Sequence, residues 1–150
     1  MSVSTRLRIA SIIAFVYWIG HTAGAPWTPA RGAAETAAID ALRSVHFSFQ
    51  GFSRSYWDFY FGFGVAISVF LLVQAVLLWQ LATLAKIGFD RLRPMIALLF
   101  AGFAANAIVA WMYFFVVPGV LALAIAAFLA AAWIAAGGSV ARGAPERHVT

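Results

Sequence analysis

The sequence predicts an all-α protein, a four-helix transmembrane bundle with one amphipathic extracytoplasmic helix between the first and second spans. Three observations carry that prediction. The 150-residue chain is 64% hydrophobic and only 10% charged, where soluble domains hold about 45–50% apolar and about 25% charged residues. Its apolar residues fall into four runs, each at least the roughly 17 residues that a helix needs to cross about 30 Å of hydrocarbon, the second long enough to leave its first turn or two in the interface. The runs are divided by turn-forming or charged punctuation at Pro26, at Lys86 to Pro94, at Pro118-Gly119 and at Gly137-Gly138. A single integral membrane domain accounts for the whole length, with no stretch left over for a soluble domain of useful size.

Residues 1–8 are polar and carry Arg6 and Arg8, and the first span is expected at about 9–25. Ala23-Gly24-Ala25 resembles a signal-peptide cleavage site, but a proline follows at once, at Pro26, so an uncleaved span is expected. Residues 26–56 form the extracytoplasmic segment, opening on the turn-prone Pro26-Trp27-Thr28-Pro29. Within it Ala34, Ala37, Ala38, Ala41, Leu42 and Val45 recur at helical spacing while Glu35, Asp40 and Arg43 lie off that stripe, which predicts an amphipathic helix over 33–45, on the bundle mouth or the membrane surface. His46 to Phe52 then alternates aromatic and polar residues up to the breaker Gly51.

The second span is expected at about 57–85, with Trp57, Tyr60 and Trp79 as interfacial aromatic belts. Pro94 opens a third span at about 94–115, and Pro118-Gly119 breaks the apolar run before a fourth at about 119–136, because proline suits only the first turn of a helix. Gly137-Gly138 is expected to end it, leaving a disordered tail over 139–150.

Charge sets the expected orientation. With the amino terminus inside, Arg6, Arg8, Lys86, Arg91, Arg93, Arg142 and Arg147 collect on the cytoplasmic side, and only Arg31, Arg43 and Arg54 lie outside. The positive-inside rule counts basic residues, so both termini are expected in the cytoplasm and the protein in the cell inner (plasma) membrane. The net charge of +5 then reads as orientation and contact with anionic lipid. It does not read as nucleic-acid binding, since no basic, aromatic groove is left to explain. Arginine outnumbers lysine nine to one, a bias that hints at a GC-rich bacterial genome. The chain has no cysteine, and His21, His46 and His148 are far apart, so neither a thiolate site nor a metal site is suggested. No cofactor is implied.

Polar groups on small-residue stripes are the candidate site. Ala10, Ala14, Tyr17, His21 and Gly24 share one face of the first span; Asp58 shares a face with Gly62 and Ala66; Gly102, Asn106, Ala110 and Tyr113 share one on the third. Small residues let membrane helices approach closely, so these faces are expected to turn inward. Ala122, Ala126 and Ala130 make the fourth span a packing partner. Arg54 and Asp58 are expected one helical turn apart, with Arg54 as a local salt bridge or lipid-phosphate contact, and Ser55-Tyr-Trp-Asp58 fits a capping box. Asp58 is therefore read either as a helix cap or as a functional acid, and His21 either as a satisfied buried histidine or as its proton-transfer partner. Trp57, Tyr60 and Phe61, beside Asp58, would wall an apolar pocket.

The run Gly51-x-x-Arg54-x-x-Trp57-Asp58-x-Tyr60 leading into Gly-x-Gly resembles that of uncharacterised bacterial four-span small integral membrane proteins, a likeness that covers most of the chain and implies no chemistry. A looser similarity to four-helix sterol-isomerase-like and small oxidoreductase-subunit membrane families rests on span count, and no functional residue carries over from it. Three functional classes stand open. The first is a protein binding a lipid-like or other small apolar molecule in an outward-opening cavity formed by Tyr17, His21, Arg54, Trp57, Asp58, Phe61, Asn106 and Tyr113. The second is a membrane enzyme of isomerase or hydrolase type on such a molecule, with His21 and Asp58 exchanging a proton. The third is a structural or assembly subunit. Expected partners are membrane lipid, an apolar small molecule, and a membrane-protein partner or a second copy of the chain.

Overall fold

The computed structural model describes residues 1–24, 27–88 and 90–142, with the backbone alone at 90 and at 137–142. Among the described residues five helices and one hairpin follow in order: α1 Val3–Gly24, α2 Ala33–Ser44, β1 His46–Phe49, β2 Phe52–Ser55, α3 Tyr56–Leu84, α4 Arg93–Tyr113 and α5 Val116–Arg142, with a 3₁₀ turn at Asp90–Leu92. Four helices are long and apolar enough to cross a membrane: Val3–Gly24, Tyr56–Leu84, Arg93–Tyr113 and the Val116–Ala136 part of α5. Between 17% and 39% of each is buried within the protein, so most of their apolar surface needs lipid to cover it. The all-α membrane bundle predicted from hydropathy is the observed fold.

The residues divide into two compact units, one of 1–17 with those from 72 onward, the other Trp18–Leu71. In the first unit the core is rich in alanine. Ala10, Ala14, Ala75, Ala82, Ala122 and Ala126 are at most 2% exposed, and larger Leu7, Leu78, Ile96, Ile125 and Leu129 fill the gaps between them with no exposed surface. Small side chains bring backbones close, and hydroxyls then reach helix carbonyls: Ser11 Oγ donates to Ala75 O at 2.7 Å and Ser4 Oγ to Ala82 O at 2.6 Å. Both pairs step by seven residues in opposite directions, the repeat of an antiparallel helix seam. Arg6 donates to Ala131 O at 2.8 Å, and Arg8 stacks on Trp79 with 4.1 Å to the ring centroid. Helices α4 and α5 form a tight hairpin in which Gly119 lies under Trp111, whose ring would meet an added Cβ at 3.4 Å.

In the second unit the tail of α1 meets the start of α3 through Thr22 Oγ1, which donates to buried Ser68 Oγ at 3.1 Å. Strands β1 and β2 pair antiparallel in the register His46↔Ser55, Phe47↔Arg54, Ser48↔Ser53, Phe49↔Phe52. Their connection is Gln50 (φ 51°) and Gly51 (φ 82°), two left-handed residues in a row, as a type I′ hairpin turn requires.

Several boundaries differ from the sequence reading. Helix α1 starts at Val3 rather than near residue 9, because Ser4, Arg6 and Leu7 all find partners along it. The break between the third and fourth helices falls at Phe114 and Phe115, and Pro118 sits in the first turn of α5, where its missing N–H is not needed. Helix α5 passes through Gly137-Gly138 to Arg142; glycine weakens a helix interior by about 1 kcal/mol but does not forbid it. Residues 139–142, expected in the tail, are thus helical, and the rest of that expected tail lies outside the described residues, as do Ala25 and Pro26.

The small-residue stripe chosen on α3 is not the packed one, and of the stripe chosen on α4 Ala110 is buried while Gly102 and Tyr113 are exposed. Gly62 and Gly102 are exposed, and an added Cβ at either would meet nothing within 4 Å. The buried stripes run through Gly64, Ser68, Leu71, Ala75 and Leu78 on α3, and through Ile96, Phe103 and Ala110 on α4. On α1 the expected face does pack, with Ala10, Ala14 and Tyr17 buried.

Candidate functional site: an aromatic groove beside the start of α3

The capping box read from Ser55-x-x-Asp58 is present at the start of α3. Ser55 N donates to Asp58 Oδ2 at 2.8 Å, and Asp58 N donates to Ser55 Oγ at 3.2 Å. Two otherwise orphaned donors of the first turn are satisfied reciprocally, and the carboxylate sits where the helix dipole favours it. Arg54 is not one helical turn from it, because Arg54 belongs to β2. Its guanidinium donates to Ser53 O at 2.9 Å and lies 5.5 Å from the Phe52 ring centre.

His21 Nε2 lies 3.1 Å from Gly64 O. A carbonyl only accepts, so Nε2 carries the proton there and the histidine serves as a cross-helix clamp. In the first unit Tyr17 is buried and Asn106 half-buried, and Tyr113, the last residue of α4, is 73% exposed.

What the second unit does build is an open-sided cavity of about 370 Å³, lined by Trp27, Thr28, Pro29, Ala30, Thr36, Ile39, Asp40, Arg43, Trp57 and Phe61. Trp57 and Phe61 are two of the residues singled out from the sequence. The others come from the connection after α1 and from one face of α2. The loop is tied back to the end of α1 by two of its cavity-lining residues: Trp27 Nε1 donates to Thr22 O at 2.6 Å, and Thr28 Oγ1 donates to Gly24 O. Trp27 then meets Phe61 edge to face, with ring centroids 5.9 Å apart. Across the groove Arg43 lies over the Trp57 ring at 4.8 Å, and Trp57 leans on Tyr60 at 5.4 Å. The result is an indole and phenyl wall carrying a guanidinium and a carboxylate, a combination suited to a molecule with an apolar body and a polar head.

Sequence reasoning missed Trp27, Ile39, Asp40 and Arg43. The signal was available on α2: Thr36, Ile39, Asp40 and Arg43 fall at intervals of three and four and so share one face, the face opposite the alanine stripe that marked the helix as amphipathic. Among the described residues no group of three His, Asp or Glu side chains is placed to hold a metal. Comparison of the chain with protein-family models, with curated proteins and with solved structures returned no match.

Proposed function

We propose that this is a multi-pass membrane protein that holds a small amphiphile in the groove between α2 and the first turns of α3, at the extracytoplasmic face of a bacterial plasma membrane. The observation that carries the reading is the cavity itself, walled by Trp27, Trp57 and Phe61 and edged by Asp40 and Arg43. Its volume of about 370 Å³ is at the lower end of the roughly 300–1,000 Å³ typical of small-molecule sites. It suits a compact amphiphile or a headgroup better than a whole two-chain lipid. The four candidate spans support a topology with both termini on one side, and the seven-to-three distribution of basic residues supports the cytoplasmic side. The groove-bearing segment is then extracytoplasmic.

The enzymatic alternative, proton exchange between His21 and Asp58, draws no support from side chains engaged respectively with Gly64 O and with the Ser55 cap. The test is lipid analysis of protein purified in mild detergent, wild type against Arg43→Gln. The reading expects an amphiphile enriched over bulk membrane lipid in the wild type and depleted in the variant. Equal content in two folded proteins would refute it.

A further inference from the structure

The hairpin has two chemically distinct faces. Cross-strand partners share a face, so the observed register places Phe47, Phe49, Phe52 and Arg54 on one side and His46, Ser48, Ser53 and Ser55 on the other. On the aromatic side Phe49 is 69% and Phe52 63% exposed, at the two positions flanking the turn. Nothing in the hairpin itself needs two bare phenyl rings at its tip, and water disfavours them.

The aromatic face is continuous with the surface of a span. The Phe47 ring is 5.3 Å from that of Tyr56 and 5.0 Å from that of Phe59, and Phe59 meets Phe63 at 5.9 Å. Phe59, Phe63 and Phe70 follow at intervals of four and seven on one exposed face of α3, the face that a spanning helix presents to acyl chains. Arg54 pairs with Phe47 near the base of the hairpin, and its guanidinium folds over Phe52, 5.5 Å from the ring centre, with a hydrogen bond to Ser53 O. A long basic side chain rooted at the base can carry its charge to the phosphates while phenyl rings enter the hydrocarbon, and a guanidinium lying over a phenyl ring marks that boundary.

We propose that the hairpin His46 to Ser55 is a membrane-interface anchor, with Phe49 and Phe52 seated in the outer leaflet and Arg54 at the level of the lipid phosphates. This surface is separate from the groove, and the inference does not depend on the groove being occupied. Its consequence is that the segment leading into α3 is held at a defined depth by lipid.

The chain has no cysteine, so single-cysteine spin labels at 48, 49, 52 and 53 can be read directly in full-length protein reconstituted into 3:1 phosphatidylcholine:phosphatidylglycerol vesicles. Collision with a water-soluble nickel chelate is expected to be several-fold lower at Phe49→Cys and Phe52→Cys than at Ser48→Cys and Ser53→Cys, and collision with oxygen correspondingly higher. A Gln50→Cys label, which leaves every phenyl ring in place, is expected to report the same depth. Equal nickel accessibility on both faces would put the hairpin in water and overturn the proposal. Exclusion of both agents at 49 and 52 would show protein covering that face, whether a second copy or another chain, and would overturn it equally.

Discussion

Trp57→Ala is the substitution that most sharply separates the groove from the rest of the protein. The indole is half-buried, forms one wall of the cavity and supports the Arg43 guanidinium at 4.8 Å. A ligand resting on that wall covers about 50 Å² of indole, and at about 25 cal/mol per Å² its loss removes about 1.3 kcal/mol of binding free energy. That is about tenfold in Kd. The removed stack releases Arg43 from its position as well, so tenfold is the lower figure. The assay is a titration of delipidated protein with the compound recovered from the wild type, followed by native mass spectrometry. Phe70→Ala provides the control, since Phe70 is 65% exposed on α3 and does not line the cavity; its Kd is expected to match that of the wild type. An unchanged Kd in folded Trp57→Ala would refute the reasoning.

Other substitutions test the roles assigned to the remaining polar groups. Ser11→Ala removes a buried hydroxyl bonded to Ala75 O and is expected to cost about 0.6 kcal/mol, at most about 1.7. Ser11→Leu, which forces a larger side chain into a position with no exposed surface, is expected to cost about 1–3 kcal/mol; steric-trapping unfolding in bicelles measures both. Ser55→Ala breaks the capping box and should lower stability by about 0.5–2 kcal/mol, with fraying at the start of α3 seen by hydrogen exchange. Gly51→Val places a β-branched residue at φ 82°, at a strain of about 1–3 kcal/mol, and should raise amide exchange throughout β1 and β2. His21→Ala and Asp58→Asn, each folded, are expected to keep the wild-type amphiphile content; depletion in either would return those residues to the binding site.

Much of the architecture was legible because the forces that set it are local. Span length follows from hydrocarbon thickness, so α3, expected at about 57–85, runs Tyr56–Leu84 and α4, expected at about 94–115, runs Arg93–Tyr113. Helix α2 was readable from its alanine stripe, and the Ser55–Asp58 cap from a four-residue signature. The packing faces were not legible, for a reason visible at Gly62. In a chain rich in glycine and alanine several stripes on one helix satisfy small-residue spacing. On α3 the stripe that packs is the one that meets hydroxyls of α1, as Thr22 meets Ser68 and Ser11 meets Ala75 O. The hairpin was hidden because its turn uses Gln50 where asparagine is usual, and because four-residue strands give periodicity little length to work with. The groove depends on a loop, a helix face and a helix start meeting in space, which spacing along one element does not reveal.

The most direct test of the amphiphile groove is photocrosslinking with a diazirine-bearing single-chain fatty acid, mapped by peptide mass spectrometry on protein in native membranes. The account predicts adducts concentrated on Trp27, Ile39, Trp57 and Phe61, competed away by the extracted amphiphile, above a uniform background on lipid-facing positions such as Phe70. Adducts confined to the lipid-facing surface, with the groove residues unlabelled, would contradict it.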